Sequence, residues 1–293
     1  MAHPQDLLLQ QKLVVVGDGR IGRAFVQMAG PGTKLVGKGQ FVVNEEDKHV
    51  NCPIIVATHC SDLNAVLEKT CKSRWRDLVF VQNGMIQPWL KQNDLQENTQ
   101  ILLFMSSFPE NPSEPKGRMH IQNGGRNSCA WGRWGDAMSQ IMQNGGLGCS
   151  VLRSHEEFLE VMIEKLLWSS IFWLLSDALG GLCVGELAQS YKWAVQELTG
   201  ELLPLALGKI GNINSSAERS NDRIGEMCER ISEDEMLKRL CAYSFAIHDA
   251  VPSRSVALSE FQWRNGWFLE QDITSCHLRW LRAAGVDSMI PRH

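Results

Sequence analysis

The sequence has few of the residue patterns that mark metal or disulfide scaffolds. Its nine cysteines, at 52, 60, 71, 129, 149, 183, 228, 241 and 276, include no CxxC pair, and its eight histidines form no HxxH or HExxH pair. Zinc-ribbon, thioredoxin-type and zincin chemistry are therefore excluded as readings, and no metal site is expected. An odd number of scattered cysteines points to reduced thiols and a cytoplasmic protein. Long apolar runs are also missing. The most hydrophobic stretch, Leu166 to Leu175, carries Ser169 and Ser170 and is half the length of a membrane span. Positive charge is not in excess, with 29 Lys and Arg against 33 Asp and Glu, a net charge of −4. No basic field invites nucleic acid. The opening MAHPQDLLLQQ has no basic segment and too short an apolar run for a signal peptide. With 293 residues and 44% hydrophobic content, the chain is long enough for two domains.

What is present begins at KLVVVGDGRIGRAFV, residues 12–26. A short apolar run, Leu13 to Val16, leads into Gly17-x-Gly19-x-x-Gly22, and Ile21, Ala24, Phe25 and Met28 follow at helical spacing. This pattern predicts a buried parallel strand, a tight turn and a helix. Gly17 allows the turn. Gly19 leaves room for a pyrophosphate, and Gly22 allows the helix to sit close to the strand. The helix N-terminus then points its N–H groups at the phosphates. The loop residues Gly17, Asp18, Gly19, Arg20, Ile21 and Gly22 are candidate cofactor contacts; Asp18 opposes a pyrophosphate and Arg20 offsets it.

The second strand decides which dinucleotide. An acidic residue about 20 positions on holds a free ribose 2′-hydroxyl, whereas a basic one accommodates a 2′-phosphate. Residues 34–40, KLVGKGQ, contain no acid, and Lys38 stands where the acid would be. NADPH is the expected cofactor; the alternative is that Lys38 is one more solvated lysine.

Further apolar runs at 54–57, 78–81 and 101–105 predict strands, with a helix over 62–71. The alternation predicts an α/β fold with an N-terminal Rossmann-type, doubly wound parallel sheet. Residues 106–117 form a Pro-rich loop. Short strands at 119–122 and 129–131, joined by a turn at 125–128, are expected to close the sheet. Strand signals then vanish. Helical periodicities run over 155–179, 186–208, 217–248 and 254–283, and Ser154 before His155-Glu156-Glu157 reads as an N-cap. This predicts a dinucleotide-binding domain over 1–152, a hinge at 144–148, and an all-helical substrate and dimerisation domain over 153–293.

Ligands in this architecture lie at the carboxyl ends of the strands. His59 and Asn83 end two of them, although Asn83-Gly84 also suits a bare turn and an isolated histidine is commonly structural. Lys165 sits in a helix that is almost entirely apolar after Glu164. It must snorkel to the surface or be held in a pocket, where desolvation would make it a proton donor near neutral pH. Ser169 and Trp173 share its face. Glu260 would share a helical face with Val256, Trp263 and Trp267, or pair on the surface with Arg264. Gly266, in mid-helix on this reading, suggests close approach of another backbone or a ligand.

Five motifs in order, Gly17-x-Gly19-x-x-Gly22, Gln82-Asn83-Gly84-Met85, Glu164-Lys165-Leu166, Gly185-Glu186-Leu187 and Ser259-Glu260 with Asn265-Gly266, resemble the ketopantoate reductase family over residues 12–286. The resemblance implies NADPH, reduction of a 2-keto acid such as 2-dehydropantoate, and often a homodimer. It implies that Lys165 donates the proton and that Glu260 hydrogen-bonds the substrate hydroxyl. Asn83 would contact substrate and nicotinamide, and Ser253 the substrate carboxylate. His59 falls where the family often has a cofactor-side lysine. The positions one and two turns after Lys165, usually asparagines in the family, hold Ser169 and Trp173; Ser169 is the expected substrate contact there. A non-catalytic NADP(H)-binding protein, or a related dehydrogenase with another substrate, would share the architecture.

Overall fold

A computed structural model describes residues 13–42, 51–109, 119–123, 125–213 and 225–290. The opening segment, most of the Pro-rich loop and the start of the helix expected at 217 lie outside these residues. In chain order the elements are β1 (Val14–Val16), α1 (Arg20–Ala29), β2 (Lys34–Val36), β3 (Ile54–Val56), α2 (Leu63–Glu68), β4 (Leu78–Phe80), α3 (Gln87–Gln92), β5 (Thr99–Leu102), β6 (Met105–Pro109), β7 (Met119–Asn123), β8 (Ser128–Trp131), α4 (Gly135–Asn144) and β9 (Cys149–Val151). There follow α5 (His155–Ala178), α6 (Val184–Ser190), α7 (Lys192–Ile213), α8 (Glu233–Ala246), α9 (Arg254–Ser259), α10 (Asn265–Gln271) and α11 (Ser275–Ala283).

The chain divides into two compact units, Met1–Gln82 with Trp89–Phe158 and Asn83–Pro88 with Leu159–His293. The first is built on a seven-stranded sheet in the order β2-β1-β3-β4-β5-β8-β9. The first five strands are parallel, and β8 joins β5 antiparallel. On one face Val15, Ile55, Val79 and Ile101 pack with Phe25, Met28, Met138 and Met142 of α1 and α4. The alternate residues Ile54, Val56, Leu78 and Phe80 are buried as well. Burial on both faces is what makes these strands read as continuous apolar runs rather than alternating ones.

Three expectations for this unit are corrected. Residues 119–123 do not close the main sheet; they pair antiparallel with β6, from Met105↔Asn123 to Pro109↔Met119, in a separate two-stranded sheet. The run at 101–105 is divided between β5 and β6 because the strand ends at Leu102. The glycines at 145–148 link α4 to β9, the last strand of the main sheet, rather than forming a hinge beyond it.

The second unit is helical apart from its connections. The helix expected at 155–179 spans His155–Ala178. The other long periodicities are broken. Tyr191 leaves helical geometry at φ −118°, ψ 25° and separates α6 from α7. Ser232 accepts a hydrogen bond from the Glu235 N–H at 3.2 Å and so starts α8 anew. The pattern over 254–283 is three helices, because Arg264 (φ −126°, ψ −104°) and Asp272 (φ −161°, ψ 150°) cannot continue one. Periodicity carries across such breaks because each new helix presents its apolar face to the same core.

The units differ from a boundary at 152 in two places. The first turn of α5 belongs with the sheet, where the His155 ring stacks on Trp131 at 4.2 Å. Residues 83–88 leave the sheet unit for the helical one.

Candidate functional site

In the first unit the Gly-rich turn has the geometry its spacing demands. Gly17 lies at φ +104°, and a Cβ there would meet the Ala57 carbonyl oxygen at 2.7 Å. Its N–H donates to the Val36 carbonyl at 2.9 Å, fixing the turn to the end of β2. A Cβ on Gly22 would collide with the Gly17 carbonyl. Gly19, the N-cap of α1, faces open space, with nothing within 4 Å of where a Cβ would stand. The turn is thus tight at Gly17 and Gly22 and open at Gly19, the one position a phosphate must approach. Arg23 Nε donates to the Asp18 carbonyl at 2.7 Å and braces the loop. Asp18 and Arg20 are exposed, and Ile21 is half-buried.

Lys38 lies in the turn after β2, its side chain 89% exposed and its Nζ 3.7 Å from Asp62 Oδ1. Asp62 belongs to the turn that follows β3, so an acid stands beside the lysine although the second strand has none. His59 is exposed just before that turn, and its carbonyl accepts from the Asp62 N–H at 3.1 Å. Gln82 Nε2 donates to the carbonyls of Val56 at 2.8 Å and Thr58 at 3.2 Å, tying the ends of β3 and β4 together.

In the second unit Asn83-Gly84 is a docking segment rather than a bare turn. Gly84 has φ +126°, and a Cβ there would lie 2.7 Å from the Trp263 carbonyl oxygen. That same oxygen accepts from the Met85 N–H at 2.7 Å. The 83–85 backbone therefore adjoins the 260–263 turn. Glu260 is at the break between α9 and that turn, and its carbonyl accepts from the Trp263 N–H at 3.0 Å. Glu260 and Arg264 are 9% and 7% exposed, which excludes a solvated surface pair. Gly266 stands in the first turn of α10, not in mid-helix, and a Cβ there would meet the Phe261 carbonyl at 2.9 Å; the expected close backbone approach is present.

Lys165 is half-buried on α5, beside the buried Glu164. Ser169 donates to the Leu166 carbonyl at 3.1 Å. Trp173 Nε1 donates to Asn265 Oδ1 at 2.7 Å, and Asn265 Nδ2 reaches the Ser170 carbonyl at 3.2 Å and His277 Nε2 at 3.0 Å. The helix that carries Lys165 is thus bonded to the start of α10, five residues after Glu260. Ser253 is the exposed N-cap of α9, accepting from the Val256 N–H at 3.4 Å. Asn83, Lys165, Ser169, Ser253 and Glu260 share the helical unit, while the Gly-rich turn, Lys38 and His59 belong to the sheet unit. Among the described residues no cluster of His, Cys, Asp or Glu could hold a metal ion, and no helix is long and apolar enough to cross a membrane.

No protein-family model matches the sequence, and no curated protein matches it. Solved structures do. A D-mandelate dehydrogenase with NADH and anilino(oxo)acetate aligns with TM-score 0.61 at 12% identity, over 95% of this chain and 99% of that one. A dimeric ketopantoate reductase from Staphylococcus aureus aligns with TM-score 0.55 at 13% identity, over 94% of this chain and 99% of that one. The 2-dehydropantoate 2-reductase from Methylococcus capsulatus gives TM-score 0.55 at 14% identity, over 95% and 96%. This chain has the ketopantoate reductase fold. Within that fold, the sequence reading missed Asp62 beside Lys38, the Trp263 carbonyl beneath Gly84, and the Asn265–His277 pair behind Trp173. The Asn265-Gly266 dipeptide was a signal for the last of these. No sequence signal pointed to His277, which is only one of eight dispersed histidines.

Proposed function

We propose that this protein is an NAD(P)H-dependent reductase of a 2-keto acid, with NADPH preferred. The observation that carries this reading is the pairing of two features in one chain. One is a turn open only at Gly19 above a helix N-terminus. The other is a half-buried Lys165 on a helix bonded through Trp173 and Asn265 to the segment that holds Glu260. The Gly-rich turn fits a dinucleotide pyrophosphate, since Gly19 leaves the space such a group needs. Held there by the Gly-rich turn, a nicotinamide dinucleotide would supply hydride-transfer chemistry for reduction of the carbonyl.

The residues of this chain do the rest. Lys165 Nζ gives a proton to the carbonyl oxygen as negative charge builds on it, so the ketone gains a hydride and a proton and leaves as the alcohol. Glu260 accepts a hydrogen bond from the hydroxyl so formed and fixes its orientation. Asn83, with a donor and an acceptor, aligns the carbonyl, and its backbone is held by the Gly84 contact with Trp263. Ser253 offers a hydroxyl donor to the substrate, and Ser169, whose hydrogen is turned to the Leu166 carbonyl, offers its oxygen as an acceptor. Lys38 favours a 2′-phosphate, with Asp62 moderating that preference.

The test is loss of NADPH absorbance on adding 2-keto acids to the purified protein. Turnover is expected, and Lys165→Ala is expected to lower kcat by about 10²-fold or more, the range for a positioned acid. NADPH binding with no turnover on any 2-keto acid would overturn the reading in favour of a binding protein.

A further inference from the structure

Along the α5 face, donor capacity runs out after Lys165. The Ser169 hydroxyl hydrogen is directed at the Leu166 carbonyl. One turn further, Trp173 is 3% exposed, and its only polar atom, a donor, is committed to Asn265. The orientation of the Asn265 amide follows from its neighbours. The indole N–H can only donate and the Ser170 carbonyl can only accept, so Oδ1 faces Trp173 and Nδ2 faces Ser170 and His277. His277 is fully buried, and burial pushes its pKa down to about 4, so its Nε2 is a neutral acceptor for the second amide hydrogen. The backbone N–H of His277 is held in turn by Glu201 Oε2 at 2.9 Å. Asn265 therefore has its oxygen and both hydrogens engaged inside the protein, and the indole is locked against it.

We infer that Trp173, fixed by Asn265 and His277, is a specificity-determining residue that closes the far end of the Lys165 face with an apolar wall, so that the preferred substrate is a 2-keto acid whose side chain is alkyl or aryl and carries no distal hydroxyl. The inference rests on the reductase reading. A distal hydroxyl at that wall loses its water and finds an indole face in exchange, and an apolar site disfavours an added hydroxyl by up to about 10²-fold. An alkyl or aryl side chain gains contact area there instead.

The experiment compares trimethylpyruvate with 2-dehydropantoate, which differ by one hydroxyl, and adds phenylglyoxylate as an aryl probe, with NADPH and the full chain. The expected kcat/KM for trimethylpyruvate or phenylglyoxylate exceeds that for 2-dehydropantoate by about tenfold or more. Trp173→Asn, which removes the wall and adds an amide, is expected to narrow that ratio at least threefold, with cofactor binding confirming that the variant is folded. A wild-type preference for 2-dehydropantoate overturns the inference and leaves the reductase reading standing. Absence of turnover on all three compounds removes both. The wild-type comparison decides even if the variant does not fold.

Discussion

At the scale of single residues, Gly84 shows how a short dipeptide is recruited for position. Its φ of +126° and the 2.7 Å separation between its would-be Cβ and the Trp263 oxygen leave no room for a side chain. Gly84→Ala is expected to cost about 1–3 kcal/mol of stability, through strain at that φ and displacement of the Trp263 backbone. It is also expected to lower kcat more than it raises KM, because Asn83 moves with it. Urea unfolding combined with steady-state kinetics checks both; a variant with wild-type stability would refute the contact. In the sequence, Asn83-Gly84 read equally well as a bare turn. In the candidate site, Lys165 stood out in the sequence as a charge in an apolar helix, whereas the break in the chain at Glu260 did not show. Trp173 was legible as an oddity. Its bond to Asn265, 92 positions away, was not, since no local pattern encodes it.

At the scale of elements, the start of α11 is held by a carboxylate from another helix. Glu201 accepts from the N–H groups of Cys276 and His277, both at 2.9 Å, and from the Ser275 hydroxyl at 3.3 Å. Burial alone would raise the Glu201 pKa; hydrogen bonds from Thr274, Cys276, His277 and Ser275 together outweigh it and bring it below its ordinary 4.5. The stabilisation is therefore complete above about pH 4.5 and is lost as the pH falls through the lower folded value. His155 and His277 act at milder acidity. Burial lowers each from 6.5 to about 4, so the unfolded chain takes up their protons first and stability declines between those values. The urea midpoint is expected to fall from neutral pH to pH 5 in both the wild type and Glu201→Gln. The variant should be weaker by about 1 kcal/mol near pH 7, the usual cost of a lost cap. That difference should close only below pH 4.5. A pH-independent difference would mean that Glu201 acts by packing rather than by charge. The helices themselves were legible from periodicity, but their breaks at Tyr191, Arg264 and Asp272 were not, because neither glycine nor proline marks them.

At the scale of the molecule, the proposed dinucleotide site in the sheet unit makes a prediction for cofactor binding that can be measured by itself. A ligand at about 100 times its Kd adds about 2.7 kcal/mol to folding stability, or several degrees in Tm for a unit of this size. NADPH is expected to raise Tm more than NADH at equal concentration. Lys38→Ala should weaken NADPH by about two- to fivefold, as befits an exposed charge, and leave NADH unchanged. Equal shifts from the two cofactors would sink the NADPH preference while leaving dinucleotide binding intact. Asp62, 3.7 Å from Lys38, is expected to keep that preference modest.

The sequence by itself determined the strand, turn and helix around Gly17, Gly19 and Gly22, the alternation of strands and helices, and the change to helices after residue 152. Each of these is local: steric limits at glycine, burial of both sheet faces and the 3.6-residue helical period act over a few neighbouring positions. Only the tertiary structure decided that 119–123 pairs with β6, that Asn83 joins the helical unit, that the chain breaks at Arg264 beside Glu260, and that Trp173 is locked by Asn265 and His277. Those outcomes depend on hydrogen bonds and close backbone approaches between segments far apart in the chain. Such partners are chosen by the packed core as a whole, and no short stretch of residues contains them.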